Sequence, residues 1–195
     1  MSTADRVLDA AAESFGTRGY DATSLDALAA ELGIRKQTIL YWYPSKEALL
    51  EAVIDRSAAE LSGALETALA KAGPGWDRVE AVVRAVFRLA LGRPALLGLL
   101  REVARLGPPW STRLTEALDP LVQRAREFLE AEMEAGSMRT TDPRLLLLSA
   151  YSTVIGVATE VEVQRALGVD PSLRSMVVRR RELLAFLRSA LAPAA

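Results

Sequence analysis

The chain has 195 residues, half of them apolar and a quarter charged, with a net charge of −1. That length holds one large domain, or a small and a medium one, and near-neutrality means that any attraction to nucleic acid must come from a local patch. Histidine and cysteine are both absent, which excludes disulfides, Cys/His zinc sites, thiol nucleophiles and a Ser-His-Asp triad.

The opening stretch MSTADRVLDAAAESF reads as an amphipathic helix containing acids, not as a basic-then-apolar leader. Ser2 with Asp5 three residues on predicts its cap. Leu8, Ala11, Ala12 and Phe15 form its apolar stripe, and Gly19 is placed to end it. Thr23 followed by Asp26 repeats the capping signal, ahead of a stripe of Leu25, Leu28, Ala29 and Leu32 stopped by Gly33. A third short helix runs from about Arg35 to Tyr43 and buries Ile39 and Tyr43. Pro44 breaks it, and Ser45 caps a fourth helix from Lys46 to about Ala70. Three short helices with a glycine turn before the third match a helix-turn-helix module.

Beyond the linker AGPGW the composition shifts to longer, Leu/Val/Ala/Arg-rich helices. Val79, Val82, Val83, Val86, Phe87 and Ala90 make one core-facing stripe. Pro94 starts a helix to about Leu106. A long helix then reaches about Ala135, with a kink or restart expected at Asp119-Pro120. Asp142-Pro143 opens a helix to about Leu167, and Pro171-Ser172 opens the last, to about Ala192. The reading is all-α: an amino-terminal three-helix helix-turn-helix domain over residues 1–45 and a larger helical domain over 46–195, with helix 46–70 as connector.

Consecutive helical residues point about a hundred degrees apart, so Tyr41, Trp42 and Tyr43 cannot all be buried. With Ile39 and Tyr43 inward, Lys36, Gln37, Leu40, Tyr41 and part of Trp42 face out. Gln pairs with adenine, Lys reaches guanine, and an aromatic ring packs on a thymine methyl, which is the chemistry of a major-groove reading surface. Lys46 is placed for a phosphate. Thr23 and Ser24 offer hydroxyls and amides at the second helix's amino end, where phosphates bind. Arg35 and Thr38 complete the candidate DNA-binding set. Residues 34–46 hold three cations and no acid, although residues 1–50 together carry five Lys/Arg against seven Asp/Glu.

The segment VLDAAAESFGTRGYDATSLDALAAELGIRKQTILYWYPSKEALLEAV (Val7 to Val53) resembles the amino-terminal domain of the tetracycline-repressor (TetR) family. The likeness runs without a gap through the Ala/Phe stripe, RGYDATS, LAAELGI and the aromatic-rich helix ending in YPSKEALL, about a quarter of the chain. It departs at Arg35, where a small hydroxyl cap is common, and at Leu40, where the family often has a phosphate-contacting tyrosine; leucine cannot donate a hydrogen bond, and the resemblance then implies that Tyr41 takes over that contact. The resemblance implies a DNA-binding regulator, most simply a repressor released from a palindromic operator by a small molecule. It further implies a body that binds this effector and dimerises through its last two helices.

The sequence supports a homodimer independently. Leu145 to Val163 is apolar nearly all round and broken by small residues. The expected interface comprises Ser149, Ser152, Gly156, Met176, Leu183, Leu184, Leu187 and Leu191. Phe87, Trp110 and Tyr151, with Ser152 and Thr153 as polar contacts, are candidate effector contacts, and the apolar lining favours a hydrophobic or aromatic ligand. Arg179-Arg180-Arg181 reads as a solvated face with ion pairs. No cofactor, metal or catalytic residue is indicated, no stretch reaches the roughly 20 apolar residues of a membrane span, and a cytoplasmic, non-enzymatic protein is expected. The other reading is a helical-bundle interaction module with a degenerate helix-turn-helix and no DNA binding.

Overall fold

The computed structural model describes residues 1–170 and 172–193, Leu173 by its backbone alone; these contain ten α-helices and no strand. They are α1 (Thr3–Arg18), α2 (Leu25–Leu32), α3 (Lys36–Trp42), α4 (Lys46–Leu69), α5 (Trp76–Gly92), α6 (Pro94–Leu106), α7 (Trp110–Glu134), α8 (Pro143–Thr159), α9 (Val161–Ala166) and α10 (Leu173–Leu191). The chain forms two compact units that are not contiguous in sequence. The first joins Met1–Ser62 to Arg93–Leu118, and the second joins Gly63–Gly92 to the chain from Asp119 onward.

In the first unit the expected caps are present at both ends of α1. The Ser2 hydroxyl accepts from the Asp5 amide while the Asp5 carboxylate accepts from the Ser2 amide, a reciprocal capping box. Gly33 ends α2 in the left-handed region, at φ 66°, where its N–H reaches the carbonyls of Ala29 and Ala30. Ser45 accepts from the Ala48 amide and starts α4. The second cap is Ser24, not Thr23: Ser24 Oγ accepts from the Ala27 amide. Thr23 is buried and its hydroxyl lies 2.6 Å from that of Ser14, so it has turned inward and left capping to its neighbour.

The core of this unit gathers Val7, Ala11 and Phe15 of α1, Leu28 of α2, Ile39 of α3, and Leu49, Leu50, Val53 and Ile54 of α4. Three short helices do not enclose this core alone; Leu99 and Val103 of α6 complete it. A Cβ at Gly16 would overlap the Ala95 carbonyl and one at Gly98 would overlap the Gly16 carbonyl, so the backbones of α1 and α6 touch.

The second unit is built on Val83, Val86 and Phe87 of α5, Leu129 of α7, Val154 and Ala158 of α8, and Leu183, Leu187 and Leu191 of α10. Of the kink or restart expected at Asp119-Pro120, the restart does not occur: α7 is one helix with Pro120 inside it. The helix expected from Pro143 to Leu167 is instead two, because Glu160 leaves helical geometry at ψ 71°. The Val157 carbonyl next to this break accepts from Gln164 Nε2 at 3.1 Å and from Arg179 Nη1 at 3.0 Å. Arg179 is therefore part of the packing and not of a solvated face, and the loss of solvent pulls its pKa below the usual guanidinium range. Arg181 does pair with an acid, Glu182. The expected start of α10 at Pro171 lies outside the described residues; Ser172 caps the helix through the Ser175 amide. Among the described residues, no helix is long and apolar enough to cross a membrane, and no cluster of His, Cys, Asp or Glu could hold a metal.

Candidate nucleic-acid interface

Helix α3 has seven residues and one fully buried side chain, Ile39. Tyr43, just past its end, packs on the same core and directs its hydroxyl to the Ala4 carbonyl at 3.5 Å, and burial raises its pKa. Leu40 also packs partly on this core, so it belongs to the foundation and not to the outer face. Its aliphatic chain has no donor for a phosphate, and packing against the core takes its apolar surface out of water. The outer face presents Gln37, exposed, with Tyr41 at 79 % and Trp42 at 49 % exposure. The Tyr41 and Trp42 rings meet edge to face, centroids 5.1 Å apart at 86°, which fixes both as one aromatic wedge. Thr38 is half-buried beside them.

The cations divide into two kinds. Lys36 Nζ lies 2.8 Å from Asp26 Oδ2, so α2 brings an acid to a stretch that has none of its own. Arg35 stands at the amino end of α3 without a side-chain cap, and Lys46 opens α4; neither is in an ion pair among the described residues. The free positive charge of this face therefore sits at its two ends. Thr23 does not contribute the expected phosphate contact: its hydroxyl donates to Gly19 O at 2.8 Å and its amide to Tyr20 O at 3.1 Å. Ser24 remains exposed at the start of α2.

Sequence reasoning missed Tyr20. Its amide donates to Glu102 of α6 at 2.7 Å and its hydroxyl to Glu47 of α4 at 3.1 Å. Its ring is 5.5 Å from Phe15 and 6.5 Å from Trp110, and the Lys46 ammonium lies 4.0 Å above it. The RGYDATS motif drew attention to the turn, but partners 27 and 82 positions away leave no local signal.

The candidate effector residues are not gathered in one place. Trp110 packs in the first unit against Tyr20, while Phe87 is fully buried in the second. Tyr151 and Ser152 are exposed on α8, and Thr153 donates to the Ser149 carbonyl. A cavity of about 460 Å³ in the second unit is lined by other residues, among them Trp76, Glu132, Met138, Arg188 and Leu191.

Of the expected interface residues, Leu183, Leu187 and Leu191 are buried in the second unit's own core, so they are not surface. Ser149 and Ser152 are exposed, and Gly156, Met176 and Leu184 are half-buried. The apolar groups left outside are Leu145, Leu148 and Tyr151 on α8 and Val177, Val178 and Phe186 on α10. Helix α10 thus carries two apolar faces, one inward and one outward.

Residues 7–53 match the sequence family described as bacterial regulatory proteins, tetR family. The HTH-type transcriptional regulator YhgD of Bacillus subtilis is 22 % identical over 156 residues, 76 % of this chain and 80 % of its own. A tetR-family regulatory protein from Rhodococcus RHA1 superposes with a TM-score of 0.78 at 22 % identity, over the full length of both chains. The fatty acid degradation regulator FadR from Bacillus halodurans gives a TM-score of 0.78 at 16 % identity, over 96 % of this chain and 98 % of its own. At these identities the two structures share their fold with this chain.

Proposed function

Because this chain belongs to the tetR family of bacterial regulatory proteins and is a DNA-binding transcriptional regulator, we propose that it is a cytoplasmic homodimeric repressor released from a palindromic operator by a small molecule. Residues 1–45 read the DNA; residues 46–195, with helix 46–70 as connector, bind the effector and the second copy. The observation that carries this reading is the outer face of α3, where Gln37, Tyr41 and Trp42 stand exposed between Arg35 and Lys46, two cations that form no ion pair among the described residues. Large aromatics left in water beside an amide and two free charges have no use in a bundle core. They suit base edges, thymine methyls and phosphates.

The outward apolar groups of α8 and α10 support dimerisation, since a second copy presenting the same face would cover both. The two copies of α3 then enter successive major grooves about 34–36 Å apart. Helix α4 starts at Lys46 in the first unit and ends in the second, so it is the lever through which an effector changes that spacing. The effector lowers operator affinity by the difference in its binding to the two arrangements, and DNA weakens the effector equally. We take the effector to be small and hydrophobic or aromatic and to bind in the second unit; Trp110, which packs on Tyr20 in the first, is not one of its contacts.

Selection of bound sequences from random duplex DNA tests the reading. An enriched palindrome is the expected result. Enrichment of a single half-site removes the dimer, and no enrichment leaves a helical interaction module in its place.

A further inference from the structure

We propose that Tyr20 is the positioning residue that presents Lys46 to a DNA phosphate, its ring held between Phe15 of α1 and Trp110 of α7 and its backbone tied to α6. The inference rests on the DNA-binding reading and adds to it a residue that makes no DNA contact itself.

Lys46 is in an awkward place for a cation. It occupies the first position of α4, where the helix dipole favours negative charge. No carboxylate pairs with it among the described residues, in contrast to Lys36 and its 2.8 Å partner Asp26. What holds it is the face of Tyr20, 4.0 Å from ammonium to ring centroid. A cation over an aromatic face is attracted without being neutralised. The ring therefore gives the ammonium a direction while leaving its charge and its N–H donors for another acceptor. A carboxylate partner would fix it equally well and cancel the charge that a phosphate needs. Lysine also has a flexible four-carbon stem, and fixing it beforehand reduces the ordering cost at binding.

The ring is itself over-determined. Its hydroxyl donates to Glu47 and its amide to Glu102 of α6, and its ring packs at a tilt on Phe15 of α1 and Trp110 of α7. Burial and the Glu47 bond push the phenol up to about 12, so it stays a protonated donor at neutral pH. These contacts lie within one compact unit. A local rule broken at α4's first position, with a dedicated support beneath it, marks a functional position more readily than a packing compromise.

The test uses the full chain and the duplex it selects from random sequence. Lys46→Ala removes one phosphate contact per protomer, two per dimer, and lowers the slope of log affinity against log salt by about 1.8, roughly a sixtyfold loss at 0.1 M salt. Tyr20→Leu is expected to reproduce most of that slope change, and Tyr20→Phe, which keeps the ring, to restore the wild-type slope. The double variant is expected to bind no more weakly than Lys46→Ala alone. In the unmutated chain, ring current should shift the Lys46 ε-methylene protons upfield, a readout independent of how the variants fold. A wild-type slope in Tyr20→Leu, additive losses in the double variant, or unshifted ε-methylene protons would overturn the proposal while leaving DNA binding intact. Absence of salt-dependent binding of the wild-type chain to any duplex would instead remove the DNA-binding reading, and this proposal with it.

Discussion

Glu102 accepts the backbone N–H of Tyr20 at 2.7 Å, tying α6 to the turn between α1 and α2. The same carboxylate receives two donors from Arg105, whose guanidinium continues to Asp21. Its side chain is only 11 % exposed, so the bonds form in a partly desolvated place. A hydrogen bond to a charged group contributes about 1.5–3 kcal/mol, and because the Arg105 donors are largely exposed and add little, Glu102→Ala should lower stability by about that amount, chiefly through the Tyr20 amide. Arg105 first, and then the Tyr20 amide, hold the carboxyl below the ordinary 4.5 of a glutamate. A depressed carboxylate pKa stabilises the fold above the unfolded value and loses that contribution as pH falls through the folded one. Urea denaturation near neutrality and in acid should therefore show a smaller cost of Glu102→Ala in acid. Equal costs in both would mean that the carboxylate's charge plays no part.

The two kinds of cation on the reading face predict different responses. Arg35→Ala should weaken binding to every sequence and flatten the salt dependence, because its charge is in no ion pair among the described residues. Lys36→Ala should change the salt slope less, since Asp26 already screens it at 2.8 Å. Gln37→Ala should relax preference at one base position per half-site at about 1–3 kcal/mol. A repeat selection with each variant separates these cases, and an unchanged preferred sequence for Gln37→Ala would mean that another side chain does the reading.

What was legible in the sequence follows from how far each determinant reaches. Ser2, Ser45 and Gly33 act within one turn of the chain, and their helix ends fall where the pattern put them. Three consecutive aromatics on a short helix force at least one outward, and Tyr41 and Trp42 are outward. Thr23 misled because its deciding partner, Ser14, lies nine positions back on another helix. The break at Glu160 was hidden for a similar reason: Gln164 and Arg179 supply the Val157 carbonyl from beyond it. On α10 the periodicity offered two apolar faces and no local rule to rank them, so Leu187 was placed outside and Phe186 overlooked.

Gly16 and Gly98 predict a sharp intolerance. A methyl group at either position meets backbone carbonyl atoms, not the movable end of a side chain. Gly16→Ala or Gly98→Ala has to push α1 and α6 apart, at a cost of about 1–3 kcal/mol or more. Both residues are helical, so an unstrained alanine would otherwise raise stability by up to about 1 kcal/mol. The sign of the change in melting temperature is therefore diagnostic. A stabilised variant would show that the two helices are not in backbone contact in solution.

Gly156 gives the cleanest test of the homodimer. A Cβ built there meets nothing within 4 Å, so the protomer itself has room for a side chain. Gly156 is a half-buried residue of α8, the helix that carries the outward Leu145, Leu148 and Tyr151. If a second copy covers that face, Gly156→Leu overpacks a close contact and weakens the dimer by about 1–3 kcal/mol. In a monomer it should leave stability unchanged or slightly raised. Phe186→Glu should act in the same direction by placing a charge in the contact. Leu187→Ala behaves differently: that side chain is in the protomer core, so its loss should cost about 2–5 kcal/mol of unfolding free energy whatever the assembly does. Sedimentation velocity of the four proteins at matched concentration separates the cases. A dimeric parent with monomeric Gly156→Leu and Phe186→Glu variants is the expected pattern. A monomeric parent, or a dimer indifferent to both changes, would place the partner elsewhere.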